Sequence, residues 1–446
     1  MIKPMSNAMK KVWGYRYVIL FIVWILYIIN YFDRMAVITF LPFIQKDMNL
    51  SPVQVGQIAS IFFLAYSVGQ VASGFLADKF GPKKVMYVAI VTFTLASFLT
   101  GYAETFGQFV ALRIALGLGE AHHFPPSAKA VSSWFPYSQR GKALSFFNTS
   151  NYVGLALAPI ILTSLSATFF NDQWRPVFFT LAIPGLIGIL LLWAFFKDTP
   201  KEMYEKGRLK IEELDLINAD QGAVLQEFPK EKVKSKIFLK DPSFYVICLI
   251  MFCQMGILWG FTTWLSTFLV QQHGFNIKEM GFIASLPPII SIVSILMGGW
   301  LLDKFNKMKP VALIAYLGCI PTLWIIGSIE KGNTAALITL LLLSGFFVAF
   351  NSGCITAVVQ KRYPSSVVGS ATGLVNGFGQ LGAFLTPLVA GYLVTVGTSN
   401  NYNFSKVFIY FSLLAGLAAI SALFLKEKPI QMKEINQKIE VQNHKI

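Results

Sequence analysis

Four ionisable residues stand where their neighbours are apolar. Asp33 and Arg34 lie in NYFDRMAV (30–37), and Arg113 and Glu120 open and close RIALGLGE (113–120). Both stretches sit in runs long enough to cross a bilayer. A charge at mid-bilayer costs about 2.5–3.5 kcal/mol on insertion scales, so four unpaired ones would cost on the order of 10 kcal/mol. They must therefore face the interior and find partners. Two acids and two bases balance, as mutual pairing requires. Arg113 and Glu120 are i and i+7 and share one helix face, and Tyr31 and Arg34 are i and i+3. Asp33 and Arg34 are successive and diverge by about 100°. One can face a central cavity while the other turns toward the helix of Arg113. Arginine keeps its charge and presents a planar fork that matches a carboxylate. Arg34, with the Tyr31 hydroxyl, suits the acid group of an organic anion. A carboxyl in a dry cavity loads a proton when its cation leaves and releases it when the cation returns. The expectation is that a substrate carboxylate competes with Asp33 for Arg34, while Asp33, Glu120 and Arg113 handle the proton. An ion-pair staple between two helices would give the same charge balance.

The rest of the chain must hold these groups in a membrane. Of 446 residues, 55% are hydrophobic and 13% charged, against about 25% charged in soluble domains. Apolar runs of at least about 20 residues recur along the whole length. They predict twelve helical spans near 17–45, 54–77, 83–103, 106–128, 141–168, 173–195, 244–270, 279–302, 309–328, 334–358, 366–394 and 404–425. The fold class is an all-α membrane protein of two pseudo-symmetric six-helix bundles, 1–196 and 242–428. A charged linker at 197–241 joins them, with a short surface helix near 202–218, and 429–446 forms a tail. The net charge of +15 follows topology: thirty of the 37 Lys and Arg fall in alternate connections and both termini. That is the positive-inside pattern. It puts both termini in the cytoplasm and argues against a nucleic-acid partner. The run at 17–45 is too long for a signal peptide and lacks a small-residue cleavage site. Cys248, Cys253, Cys319 and Cys354 lie in apolar spans without metal-ligand spacing.

The halves repeat. GFLADKF (74–80) returns as GWLLDKF (299–305), and FPYSQRGKALSFFNTSNYVGLALAP (135–159) aligns with YPSSVVGSATGLVNGFGQLGAFLTP (363–387). Parallel repeats place a substrate site where the halves face each other, near the midplane. They are unequal in charge, because the positions matching Arg113 and Glu120 are Leu341 and Val348. The second half offers neutral groups instead: Asn351, Ser352, Asn376 and Gln380, with Trp264 as an apolar wall. Asn151 is the first-half counterpart. Such groups fit the hydroxyls of a polyol chain, or serve as packing glue between helices. His123 points nearer the Glu120 direction than His122 does.

The motif GFLADKFGPKK resembles the loop 2–3 signature of the major facilitator superfamily. NYFDR (30–34), RIALGLGEAHHFPPSAKAVSSWFPYSQRG (113–141) and NGFGQ (376–380) are most similar to its anion:cation symporters. These include bacterial sugar-acid and hexuronate transporters. The resemblance implies a proton-coupled symporter that imports a small organic anion, such as an aldonate, hexuronate or aldarate. It implies alternating access in the cell inner membrane, as a monomer, with no cofactor. It also implies a cytoplasmic gate at Asp78, with Arg140 as the expected partner and Asp303 as the repeat. His122–His123 departs from the family, which has small residues there.

Other classes fit less well. HExxH and G-x-S-x-G are absent, which argues against an enzyme. A channel would want rings of like charge. An organophosphate antiporter would want a cavity arginine from each half, and CQMGILWGFTTWLSTFLV (253–270) has none. An exporter of the same fold has less use for an adjacent Asp33 and Arg34.

Overall fold

The computed structural model describes residues 14–218, 237–363, 365–397 and 402–426. The tail 429–446 and much of the linker lie outside them. The first half contains α1 (Tyr15–Asp47), α2 (Pro52–Phe80), α3 (Pro82–Thr100), α4 (Phe106–Ala121), α5 (Phe124–Trp134), α6 (Tyr137–Phe169), α7 (Arg175–Thr180) and α8 (Ala182–Phe195). The linker holds α9 (Pro200–Glu205) and α10 (Ile211–Asn218). The single linker helix expected at 202–218 is thus two, because Gly207 turns the chain at φ 67°. The second half contains α11 (Pro242–Gln271), α12 (Ile277–Phe305), α13 (Met308–Ile326), α14 (Thr334–Phe350), α15 (Cys354–Arg362), α16 (Ser365–Leu393) and α17 (Ser405–Leu423). A two-residue hairpin, β1 (Thr395–Val396) and β2 (Tyr402–Asn403), precedes α17.

Among the described residues, eleven helical segments are long and apolar enough to cross a membrane, with α7–α8 and α14–α15 each counted as one. The twelfth expected span is α4–α5. It is shorter and more polar because α4 carries Arg113 and Glu120 and stops at His122. The backbone breaks at His122–His123 and restarts with prolines at the head of α5. A break at 351–353 between α14 and α15 answers it in the second half. Lipid-facing sides show as exposed apolar residues such as Val71, Phe75, Leu296 and Trp300, which water would not tolerate and hydrocarbon does.

Contacts divide the chain into two compact units. Unit 1 takes residues 1–37, 65–158 and 165–229; unit 2 takes 38–64, 159–164 and 230–446. Unit 2 therefore includes the end of α1, the start of α2 and a turn of α6. Gln45 donates to the Tyr402 hydroxyl at 3.3 Å, and the Phe63 ring lies 4.8 Å from Trp259. A Cβ on Gly281 would sit 1.9 Å from the Thr163 hydroxyl, so glycine is what lets α6 and α12 meet there.

Inside unit 2, Asp241 caps α11 by accepting from Ser243 N at 3.1 Å. It also takes two bonds from Arg362, at 2.6 and 2.9 Å, and one from the Tyr363 hydroxyl at 2.8 Å. Partial burial pushes this carboxyl up, but the Arg362 and Tyr363 bonds outweigh it and hold it below the ordinary aspartate range. The clamp's contribution to stability is therefore fully present above the ordinary aspartate range and lost as pH falls below it through the depressed native value.

Candidate functional site

All four intramembrane charges belong to unit 1 and all are buried, none more than 4% exposed. The pairing differs from the sequence expectation. Arg34 bonds Glu120, not its neighbour Asp33: Nε donates to Glu120 Oε2 at 2.8 Å and Nη2 lies 2.8 Å from the same oxygen. The reason is helical geometry. The step between Asp33 and Arg34 sends one side chain to α4 and the other elsewhere. Asp33 faces Ser97 on α3, and its carboxylate oxygens make no hydrogen bond of normal length among the described residues. Arg113, two turns before Glu120 on α4, lies within electrostatic range of it. One carboxylate thus stands between two guanidinium groups.

Aromatic rings complete the Arg34 site. Its guanidinium lies over the Tyr31 ring at 4.8 Å and over the Tyr66 ring at 4.9 Å. Cation–π attraction is worth about 2 kcal/mol or more when desolvated. Tyr31 thus meets Arg34 with its ring, where the sequence reading offered its hydroxyl. Tyr31 itself rests on α6, where a Cβ on Gly154 would lie 2.4 Å from the Tyr31 Cβ. Asn151, three residues earlier on α6, has an Oδ1 without a hydrogen-bond partner among the described residues. Tyr66 on α2 was missed at the sequence level, since nothing in its surroundings marks one tyrosine of α2 as facing a charge.

The α4–α5 break shapes the floor of this site. His123 is fully buried, stacked on Tyr27 at 5.4 Å and 11°, with Ser127 at 3.5 Å from Nδ1. Tyr27 in turn meets Tyr31 edge-on at 5.4 Å. His122 points away, with Nδ1 at 2.7 Å from the Leu118 carbonyl oxygen, and lines a groove of about 460 Å³ beside Lys84 and Val88.

Gate candidates sit at helix ends. Asp78 pairs with Lys129 of α5 at 2.7 Å, while Arg140 donates Nε to the Phe135 carbonyl. The expected Asp78–Arg140 pair is thus replaced by Asp78–Lys129, because α5 brings Lys129 onto the last turn of α2, where it also reaches the Ala77 carbonyl. The pair is largely exposed, so a double-mutant cycle of Asp78→Asn and Lys129→Ala should return a coupling of about 0.2–1 kcal/mol. Zero coupling there with finite coupling to Arg140 would restore the original pairing. Asp303 is exposed at the end of α12.

The neutral candidates of unit 2 divide in two. Asn376 and Gln380 are half-buried, i and i+4 on α16. Trp264 and Asn351 are engaged in packing. Trp264 is 1% exposed and donates Nε1 to the Pro387 carbonyl at 3.0 Å. Asn351 donates to the Tyr316 hydroxyl at 3.2 Å, and that hydroxyl donates to Gln254 Oε1 at 2.8 Å. Gln254 reaches the Val348 carbonyl at 2.5 Å and Ser352 Oγ at 3.3 Å. This network braces the α14–α15 break at the position where the first half has Glu120.

The model of the Major Facilitator Superfamily matches residues 23–387, and again 279–445. The chain belongs to that superfamily. It is a transporter and not an enzyme, and a multi-pass membrane protein. A probable galactarate/D-glucarate transporter of Escherichia coli is 30% identical over 95% of this chain and 98% of its own. A probable sulfoacetate transporter of Cupriavidus necator is 29% identical over 92% and 94%. A hexuronate transporter of Bacillus subtilis is 29% identical over 89% and 90%. Among solved structures, a D-xylose-proton symporter superposes with TM-score 0.72 at 16% identity, over 93% of this chain and 98% of that one. A bacterial homologue of the lysosomal transporter Spinster superposes at 0.70, also at 16% identity, over 92% and 94%. Both establish the fold.

Proposed function

We propose that the protein is a proton-coupled symporter that imports a small organic anion, a sugar acid, by alternating access. The observation that carries this reading is the buried Arg34–Glu120 pair, with the guanidinium over two tyrosine rings. A substrate carboxylate that reaches Arg34 replaces Glu120 on the fork. Deprived of that cation in a dry site, Glu120 takes a proton, so anion and proton travel together. Arg113 stays close to Glu120 and helps return it to the charged form when the anion leaves. Asp33 is the alternative proton carrier to Glu120, since no cation pairs with it directly among the described residues. Arg34 is only 4% exposed, so the movement of helices during the cycle delivers it to the cargo.

Asn151, Asn376 and Gln380 are neutral donors and acceptors suited to the hydroxyls of an aldonate, hexuronate or aldarate. Relatives named for galactarate and glucarate, hexuronate and sulfoacetate share an anionic group and differ in hydroxyl content. That pattern supports Arg34 as the reader of the anion and the amides as the readers of the rest. Similarity to the sulfoacetate transporter keeps a sulfonate as the second reading of the cargo. Asp78, Arg140 and Asp303 are the proposed gate, at what the positive-inside pattern makes the cytosolic ends. The functional halves are 1–196 and 242–428, joined by the 197–241 linker, with both termini cytosolic in a cell inner membrane.

Thermal stabilisation of the purified protein by a panel of aldonates, hexuronates, aldarates, sulfonates and phosphorylated sugars tests this reading. One class should raise Tm in the native protein and fail to do so in Arg34→Ala. Stabilisation that survives Arg34→Ala, or that only neutral sugars produce, would overturn it.

A further inference from the structure

The helix that carries Asp33 and Arg34 is capped at its N-terminus from the linker. Helix ends leave their first amides without partners. The Tyr15 amide donates to Glu213 Oε2 at 2.9 Å and the Arg16 amide to Glu213 Oε1 at 3.1 Å. Glu213 lies on α10 of the linker, 198 residues away in sequence from Tyr15. It is 8% exposed, with the Arg16 guanidinium 3.9 Å from Oε1. A Cβ on Gly14 would fall 2.0 Å from Glu213 Oε1, so a side chain before α1 would push the carboxylate from its place. The same device recurs at α3. The Lys83 amide donates to Asp198 Oδ1 at 2.6 Å, and a Cβ on Gly81 would fall 2.7 Å from Asp198 Oδ2. Around these caps the segment is tied down further. The Tyr15 hydroxyl donates to the Phe195 carbonyl at 2.5 Å, Trp134 Nε1 to the Lys197 carbonyl at 3.1 Å, and Lys83 Nζ to the Phe196 carbonyl at 2.8 Å. The second half needs no such help for α11, because Asp241 is that helix's own cap.

We propose that the first part of the linker, residues 197–218, is a structural clamp of unit 1 whose carboxylates Glu213 and Asp198 act as N-caps in trans for α1 and α3. Glu213 is thereby a positioning residue for α1. A carboxylate at a helix N-terminus meets both the free amides and the positive end of the helix dipole. Arg34 lies about 27 Å further along the same helix, so a displacement of α10 is passed to the Arg34–Glu120 pair through a rigid rod. The clamp stands on unit 1 alone and does not depend on what the protein carries.

Gly14 lacks a positive φ, and the nearest atoms to a Cβ there all belong to Glu213. That makes a reciprocal test possible on the full-length protein in detergent without ligand. Glu213→Ala should lower Tm by about 2–4 °C and speed hydrogen exchange at the Tyr15 and Arg16 amides by roughly five- to tenfold. Gly14→Asp alone should also lower Tm, because its side chain competes for the space of Glu213. Gly14→Asp with Glu213→Ala should recover Tm and the protection of the Arg16 amide, since α1 would then carry its own cap on its second amide as α11 does. Asp198→Ala should speed exchange at the Lys83 amide and leave Tyr15 and Arg16 unchanged, which separates a local cap from general loosening. Unchanged exchange at Tyr15 and Arg16 in Glu213→Ala, or a double variant no better than Glu213→Ala, would overturn the proposal.

Discussion

Arg34→Ala should abolish uptake and counterflow together, with anion affinity reduced on the order of 10³-fold. The site loses a charge-assisted, two-pronged contact, and hydrogen bonds to charged groups contribute about 1.5–3 kcal/mol each. Arg34→Lys should recover little, because an ammonium is a point charge and cannot present a fork to a carboxylate. It also fits poorly over two tyrosine rings that a flat guanidinium covers at 4.8 and 4.9 Å. Removing Arg34 alone leaves Glu120 buried without its bonded partner, and breaking such a pair costs about 3–5 kcal/mol. The double variant Arg34→Ala with Glu120→Gln removes that charge but takes the nearby carboxylate from Arg113, so it should recover part of the lost Tm while transport stays absent. Transport by the double variant at more than a tenth of the native rate would remove Arg34 from the site.

Glu120→Gln should split the two activities. Counterflow exchanges labelled for unlabelled anion and needs no net proton movement. Glutamine keeps the shape of Glu120 and leaves Arg34 free for cargo, so exchange should persist. Accumulation driven by a pH gradient should fall to the level of passive equilibration, because the group that gains and loses the proton is gone. Anion affinity should become less dependent on pH, since binding no longer draws a proton into the site. Intact pH-driven accumulation in this variant would transfer the coupling role to Asp33.

Much of this was legible in the chain. The four intramembrane charges, the α4 face shared by Arg113 and Glu120, and the repeat at 135–159 and 363–387 follow from spacing and bilayer cost. The assignment of partners was not. Adjacent residues on a helix diverge, so Asp33 cannot easily share Arg34, yet only packing tells which neighbour takes its place. Glu120 does so because α4 runs beside α1. Tyr66 and Lys129 escaped for a related reason: each is one of several similar residues, selected by contact between helices far apart in sequence. Trp264 and Asn351 stay open between cargo contact and packing, because polar and aromatic residues in a span suit both. In the structure each has a packing bond, Trp264 to the Pro387 carbonyl and Asn351 to the Tyr316 hydroxyl. The linker's role was invisible for a sharper reason. Charged, aromatic-poor sequence reads as a tether, whereas Glu213 and Asp198 are fixed by amides that no sequence pattern places beside them.

The most direct measurement is proton uptake by the purified protein when an effective anion is added in weakly buffered solution. The account predicts uptake of about one proton per anion bound by the native protein and none by Glu120→Gln at matched saturation. Binding without proton uptake in the native protein, or equal uptake in Glu120→Gln, would contradict it.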